Sequence, residues 1–96
     1  MLQLRFSPKA EADLEDIWLH TLENWGQAQA NEYLLSLDRT LELLCTHPLL
    51  GASIQHVRPG YRRMPMTSHI IIYRVTAESL EIIRILQKSM DVDGYI

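Results

Sequence analysis

Arg58, Arg62, Arg63, Arg74 and Arg84 all fall in the second half of this chain, and Lys88 follows them. A guanidinium keeps its charge at any ordinary pH and presents a planar fork of five donors, so such a set suits carboxylates, phosphates and aromatic faces. Chemistry on a phosphate needs a further part, a group that moves a proton near neutral pH. The candidates are His20, His47, His56 and His69, and of these His69 opens an apolar run within the arginine-bearing half. A surface or capping role is the simpler reading of each. No two histidines stand at the close spacing of a metal site and the single Cys45 belongs to no CxxC pair, so a zinc site is rejected and no cofactor is expected. There is no glycine-rich phosphate loop and no supported Ser/His/Asp arrangement. A surface that binds another macromolecule is the better expectation than a freestanding catalyst.

The distribution of charge sharpens this reading. Residues 1–57 carry three basic side chains (Arg5, Lys9, Arg39) against eight acidic ones, a balance of −5, whereas residues 58–96 carry six against four, a balance of +2, within the formal total of −3. The arginine half can meet an acidic partner locally, although such fields fade over about 8 Å at physiological salt. No run approaches the ~20 apolar residues of a membrane span, and the first ten residues lack the apolar segment of a secretory signal, so a cytoplasmic protein with no membrane partner is expected.

The elements that must hold these groups follow from the spacing of apolar residues. Ninety-six residues, 47% of them apolar, suit one domain with one core. Leu2, Leu4 and Phe6 alternate with polar residues and predict a short strand that pairs with a later one. Ser7-Pro8 is a helix start, with Glu11, Asp13, Glu15 and Asp16 where the helix dipole favours negative charge. Ala10, Leu14, Ile17, Trp18, Thr21 and Trp25 then form a core-facing stripe up to Gly26. A second helix runs from Gln27 to about Cys45 on Ala30, Tyr33, Leu34, Leu37, Leu41 and Leu44, and His47-Pro48 stops it. The short break between them predicts an antiparallel helical hairpin. Leu49 to Ile54 reads as a connector, and Pro59-Gly60 as a turn.

Three strands complete the order. Tyr61 to Met66 is the first, and Pro65 makes it an edge or bulged strand. Ile70 to Val75 and Leu80 to Leu86 form a hairpin across Thr76-Ala77-Glu78-Ser79. The fold class is therefore α+β: an N-terminal strand, a helical hairpin, then a three-stranded antiparallel meander, with the helices on one sheet face and the other face or a rim open. Arg74 and Arg84 alternate with isoleucines, so their heads either pair with helix carboxylates or stay free. Arg62 and Arg63 are adjacent and point to opposite faces. Cys45 reads as a small core residue, and Lys88 to Ile96 as a tail anchored by Met90 with a free end. Two amphipathic helices over so small a sheet also leave a groove for a partner helix.

Taken together, Ser7-Pro8, Ala12-Asp13-Leu14, Trp25-Gly26, Gln29-Ala30, Tyr33-Leu34, Arg58-Pro59-Gly60-Tyr61-Arg62, His69, Tyr73-Arg74, Ile83-Arg84-Ile85-Leu86 and Met90-Asp91 resemble the ParE branch of the RelE/ParE toxin superfamily over nearly the whole chain. The resemblance implies the toxin half of a type II toxin–antitoxin module, a hetero-oligomer with a ParD-like antitoxin, and DNA gyrase as the target of a protein inhibitor. It further implies a target surface of Arg58, Arg62, Arg63, Arg74, Lys88 and Met90. The antitoxin is expected on Leu14, Trp18, Tyr33, Leu37, Leu41 and Tyr73. The RelE branch instead cleaves mRNA on the ribosome with an acid/base group near the end of the last strand. Gln87 stands where histidine is common there, and an amide carries no proton, so the nuclease is the alternative rather than the first expectation.

Overall fold

The computed structural model describes residues 1–96. In chain order it has β1 (Gln3–Phe6), α1 (Pro8–Trp25), α2 (Gln27–Thr46), β2 (Ala52–Ser53), β3 (Tyr61–Pro65), β4 (His69–Val75), β5 (Ser79–Gln87) and a single turn of helix, α3 (Val92–Tyr95). The expected order of strand, helical hairpin and meander is present. Ser7 caps α1 by accepting the Ala10 N–H at 3.0 Å. Gly26 alone joins the two helices, at φ 88°, a left-handed value that glycine adopts without Cβ strain. No helix is long and apolar enough to cross a membrane.

The five strands lie in the order β1-β5-β4-β3-β2. All neighbours are antiparallel except the first pair, where β1 runs parallel to β5 with Leu4 opposite Leu80. The helical hairpin is the crossover that such a parallel pairing requires. Leu49 to Ile54 is more than a connector, because Ala52 and Ser53 pair with Arg63 and Arg62 as an extra edge strand. Pro65 lies beyond that short cover, where a missing N–H costs no ladder bond.

Register carries through to function. Ile72 faces Arg84 and Tyr73 faces Ile82, so Ile83 is the extra residue of a bulge. Beyond Phe6 the outer edge of β5 has no strand beside it, and α1 covers part of it with side chains. The Ser7 hydroxyl donates to the Ile83 carbonyl at 2.7 Å, and Asp13 accepts the Ile85 N–H at 2.9 Å.

Apolar residues fall into two clusters, one on each sheet face. The larger one, between sheet and helices, includes Ala10, Ile17, Leu37, Leu41, Leu44, Cys45, Ile71, Tyr73 and Ile82. The smaller holds Ile54, Ile70, Ile72 and Leu86, with Val57, Met90, Val92 and Ile96 packed against it. The second sheet face is thus covered and not open. Nor is the tail free: Met90 anchors it as expected, but α3 carries the chain back until Ile96 seals the cluster. Arg58 donates to the Ile96 carbonyl at 2.7 Å, and Arg84 to that of Tyr95 at 3.2 Å. Polar composition hid this, because the tail's few apolar side chains, Met90, Val92 and Ile96, are spaced to reach one patch.

Candidate functional site

A cleft of about 850 Å³ opens where α1, the start of α2 and the ends of β4 and β5 meet. One wall is Asp13, Asp16, Ile17, His20 and Trp25 of α1; the other runs from Thr67 to His69 and from Ile85 to Met90. The β1 strand stops at Phe6, so α1 leaves the sheet edge before β5 ends, and the gap between them is the cleft.

Within it, His69 and Tyr33 are a bonded pair, the Tyr33 hydroxyl against Nδ1 of the imidazole at 2.5 Å. Their rings lie 5.4 Å apart and tilted by 56°. Burial lowers the pKa of His69 from its ordinary 6.5, and the neighbouring His20 adds to the effect. Burial also raises that of Tyr33 above 10.0. The pairing joins α2 to β4 across 36 residues. No local spacing signals it; an aromatic at the half-buried edge of one stripe and a histidine opening an apolar strand were the only hints.

The cleft's nearest arginine is not free. Asp13 takes Arg84 in a two-pronged ion pair, 2.8 Å on each arm, with both side chains largely buried. This raises the pKa of Arg84 and fixes its head against α1. Of the two sequence readings of Arg84, pairing with a helix carboxylate holds. Arg74 is likewise paired, but with Glu81 on the neighbouring strand.

The remaining predicted target residues divide clearly. Arg62 donates to the Gly51 carbonyl at 2.7 Å, and Arg58 lies over the Tyr61 ring at 6.0 Å while holding Ile96. Arg63 forms no side-chain hydrogen bond or ion pair, and neither does Lys88, which is exposed at the cleft. Met90 is half-buried on the second cluster and also lines the cleft. The six residues are therefore not one patch of free cations: four are arginines, three of them engaged within the molecule.

The predicted antitoxin residues divide by burial. Leu37 and Tyr73 are fully buried in the larger cluster, and Leu41 is buried there too while also flooring a groove between β1 and α2. Tyr73 is a structural pin: its hydroxyl donates to the Pro48 carbonyl at 2.7 Å and accepts the Gly51 N–H at 2.9 Å. Leu14, Trp18 and Tyr33 stay half-buried. Trp25, placed on the core stripe by its spacing, is instead 73% exposed and lines the cleft. A second apolar groove, about 460 Å³, lies between β1 and α2 and is lined by Met1, Leu2, Leu4 and Leu35.

Known proteins share both sequence and fold with this chain. The family model for the ParE toxin of the type II toxin–antitoxin system, parDE, matches residues 4–92. A Toxin ParE1 of Mycobacterium tuberculosis (strain CDC 1551 / Oshkosh) is 41% identical over 88 residues, covering 91% of this chain and 90% of that protein. Toxin ParE1 of Caulobacter vibrioides is 40% identical over 96 residues, covering 100% and 99%. Among solved structures, a chain of the chromosomal ParDE TA system from P. aeruginosa is similar at TM-score 0.75 and 25% identity, covering 91% of this chain and 96% of that one. A chain of the E. coli DinJ-YafQ toxin–antitoxin complex is similar at TM-score 0.55 and 18% identity, covering 90% and 91%, a likeness of fold alone.

Proposed function

This chain belongs to the ParE toxin family of type II toxin–antitoxin systems, and from that premise we propose that it acts by inhibiting DNA gyrase and is neutralised by a ParD-like antitoxin. The observation that carries the inhibitor over the nuclease is the make-up of the cleft at the end of β5. Gln87 lines it with an amide that moves no proton, and Nδ1 of His69 is tied to the Tyr33 hydroxyl. Arg84 is spent on Asp13, and Asp16 adds a further carboxylate to the wall, which disfavours a polyphosphate strand. Only Lys88 offers a free cation there.

Target contact falls to Arg63 and Lys88, the two cations of the arginine-bearing half without internal partners, with Arg58 at the exposed rim. A well-formed charge-assisted bond contributes ~1.5–3 kcal/mol. The test is a gyrase supercoiling assay with the purified chain and with Arg63→Ala/Lys88→Ala, alongside a transcript-cleavage assay on translating ribosomes. Loss of supercoiling with the parent and recovery with the double variant is expected. Transcript cleavage with gyrase unaffected would replace the inhibitor by the nuclease.

For the antitoxin, the accessible apolar surface is the half-buried strip of Leu14, Trp18 and Tyr33 together with the β1/α2 groove at Leu4 and Leu35. An amphipathic helix fits such surfaces by its apolar side. Binding at a hundredfold excess over Kd stabilises the folded chain by ~2.7 kcal/mol, so melting with and without the partner reads the interaction directly.

A further inference from the structure

Gln87 offers the cleft more than its side chain. Lys88 donates its N–H to Ser68 at 3.1 Å, which makes 68/88, 70/86 and 72/84 the bonded pairs of β4 and β5. Residues 85 and 87 therefore turn their backbone groups outward, to the edge that β1 leaves bare. Of those four groups two are satisfied: Asp13 accepts the Ile85 N–H, and the Gln87 carbonyl accepts from Met90 N–H at 3.0 Å. The Ile85 carbonyl and the Gln87 N–H have no partner and face the cleft. A carbonyl and an N–H two residues apart on one strand is the pattern that a single residue of a parallel neighbour bridges, its N–H to the first and its C=O to the second. The β1 strand engages β5 in this same sense a few residues earlier, where Gln3 donates to Glu78 and Ser7 to Ile82.

We propose that this edge is a docking site for an extended, basic segment of a partner protein, laid parallel to β5 with one residue bridging Ile85 and Gln87 opposite Leu86. Two features define the occupant. Side chains flanking the bridging residue turn to the face of the sheet that carries Ile85, where the cleft presents Ile17 and Asp16. Asp16 is exposed and has no internal partner, so it selects a Lys or Arg on one flank while Ile17 selects an apolar residue on the other. Asp13 occupies the preceding edge position, so the segment enters at the apolar flank rather than continuing the lane of β1. Backbone pairing of this kind supplies affinity and the flanking pockets supply selectivity.

The probe is the capped tripeptide Ac-Val-Ala-Arg-NH2, titrated into the full chain while backbone amides are followed by NMR. A saturable downfield movement of the Gln87 amide proton is expected, in the millimolar range for so small a ligand. The analogue N-methylated at the central alanine lacks the N–H that reaches Ile85 and should bind about fivefold more weakly or worse. Asp16→Asn, a change at an exposed side chain, should weaken the arginine peptide and leave a norleucine analogue unchanged. An unmoved Gln87 amide, or equal binding of the N-methylated peptide, overturns the site.

Discussion

Removing one oxygen at Tyr73 tests the reasoning on burial most severely. Tyr73→Phe keeps the ring that fills the larger cluster and deletes only the hydroxyl, so no cavity term complicates the result. Two backbone groups lose their partner: the Pro48 carbonyl and the N–H of Gly51, which is itself buried. A buried polar group left unpaired costs ~1–3 kcal/mol, and Pro48 is only half-buried, so the sum expected is about 2–4 kcal/mol. For a domain of this size that lowers Tm by roughly 4–8 °C per kcal/mol. Gly51→Ala provides the counterpart, since a Cβ there would stand 2.6 Å from the Tyr73 hydroxyl and 2.7 Å from the Arg63 carbonyl. Because both changes break the same clasp, the double variant should fall well short of the sum of the singles. Calorimetry and urea melts on the three proteins decide it. A loss below about 0.5 kcal/mol for Tyr73→Phe, within the range of ordinary surface changes, would refute the assignment of Tyr73 as a pin.

Further outcomes follow from other contacts. Asp13→Ala strands the largely buried Arg84 and the Ile85 N–H, and should cost about 3 kcal/mol or more; a double-mutant cycle with Arg84→Ala should return a coupling of at least about 1 kcal/mol. Because burial depresses the pKa of His69, the neutral ring's contribution is whole above 6.5 and is lost as pH falls below that value toward the folded-state pKa, since the unfolded chain takes up the proton first. His69→Gln should flatten the decline in Tm on that acid side. Tyr33 and Tyr73 are shifted the other way, so their contribution is whole below 10.0 and falls as pH rises beyond it, which alkaline melts of the two Phe variants will separate. Truncation after Asp91 uncovers Ile54, Ile70 and Leu86, and should lower Tm and raise the fluorescence of an apolar dye.

The fold was legible wherever one short-range rule decided an element. Ser7-Pro8 started α1, His47-Pro48 stopped α2, and the isoleucine runs formed the β4–β5 hairpin, because caps, proline geometry and β-branching act within a few residues. What depended on residues far apart in sequence was not legible. The spacing of Trp25 fits the stripe of α1, yet its exposure depends on where the sheet ends beneath the helix. Leu37, Leu41 and Tyr73 carry the signature of any apolar contact residue; only the assembled core distinguishes a buried side chain from a docking one. The arginines were the hardest case. Their number was plain, but whether each guanidinium was spent on Asp13, Glu81, Gly51 or Ile96 depended on separations of up to 71 residues.

The parallel pairing of β1 with β5 sets a timetable for synthesis. Residues 3–6 are made long before the backbone they must join at 79–82. The helical hairpin between them can form early from local contacts, whereas the sheet must wait until β5 has been made. A nascent chain therefore holds β1 unmatched until residues 79–82 emerge. The cleft wall at Ile85 to Met90 follows directly, so the candidate site takes shape only after both helices and β4 have been made.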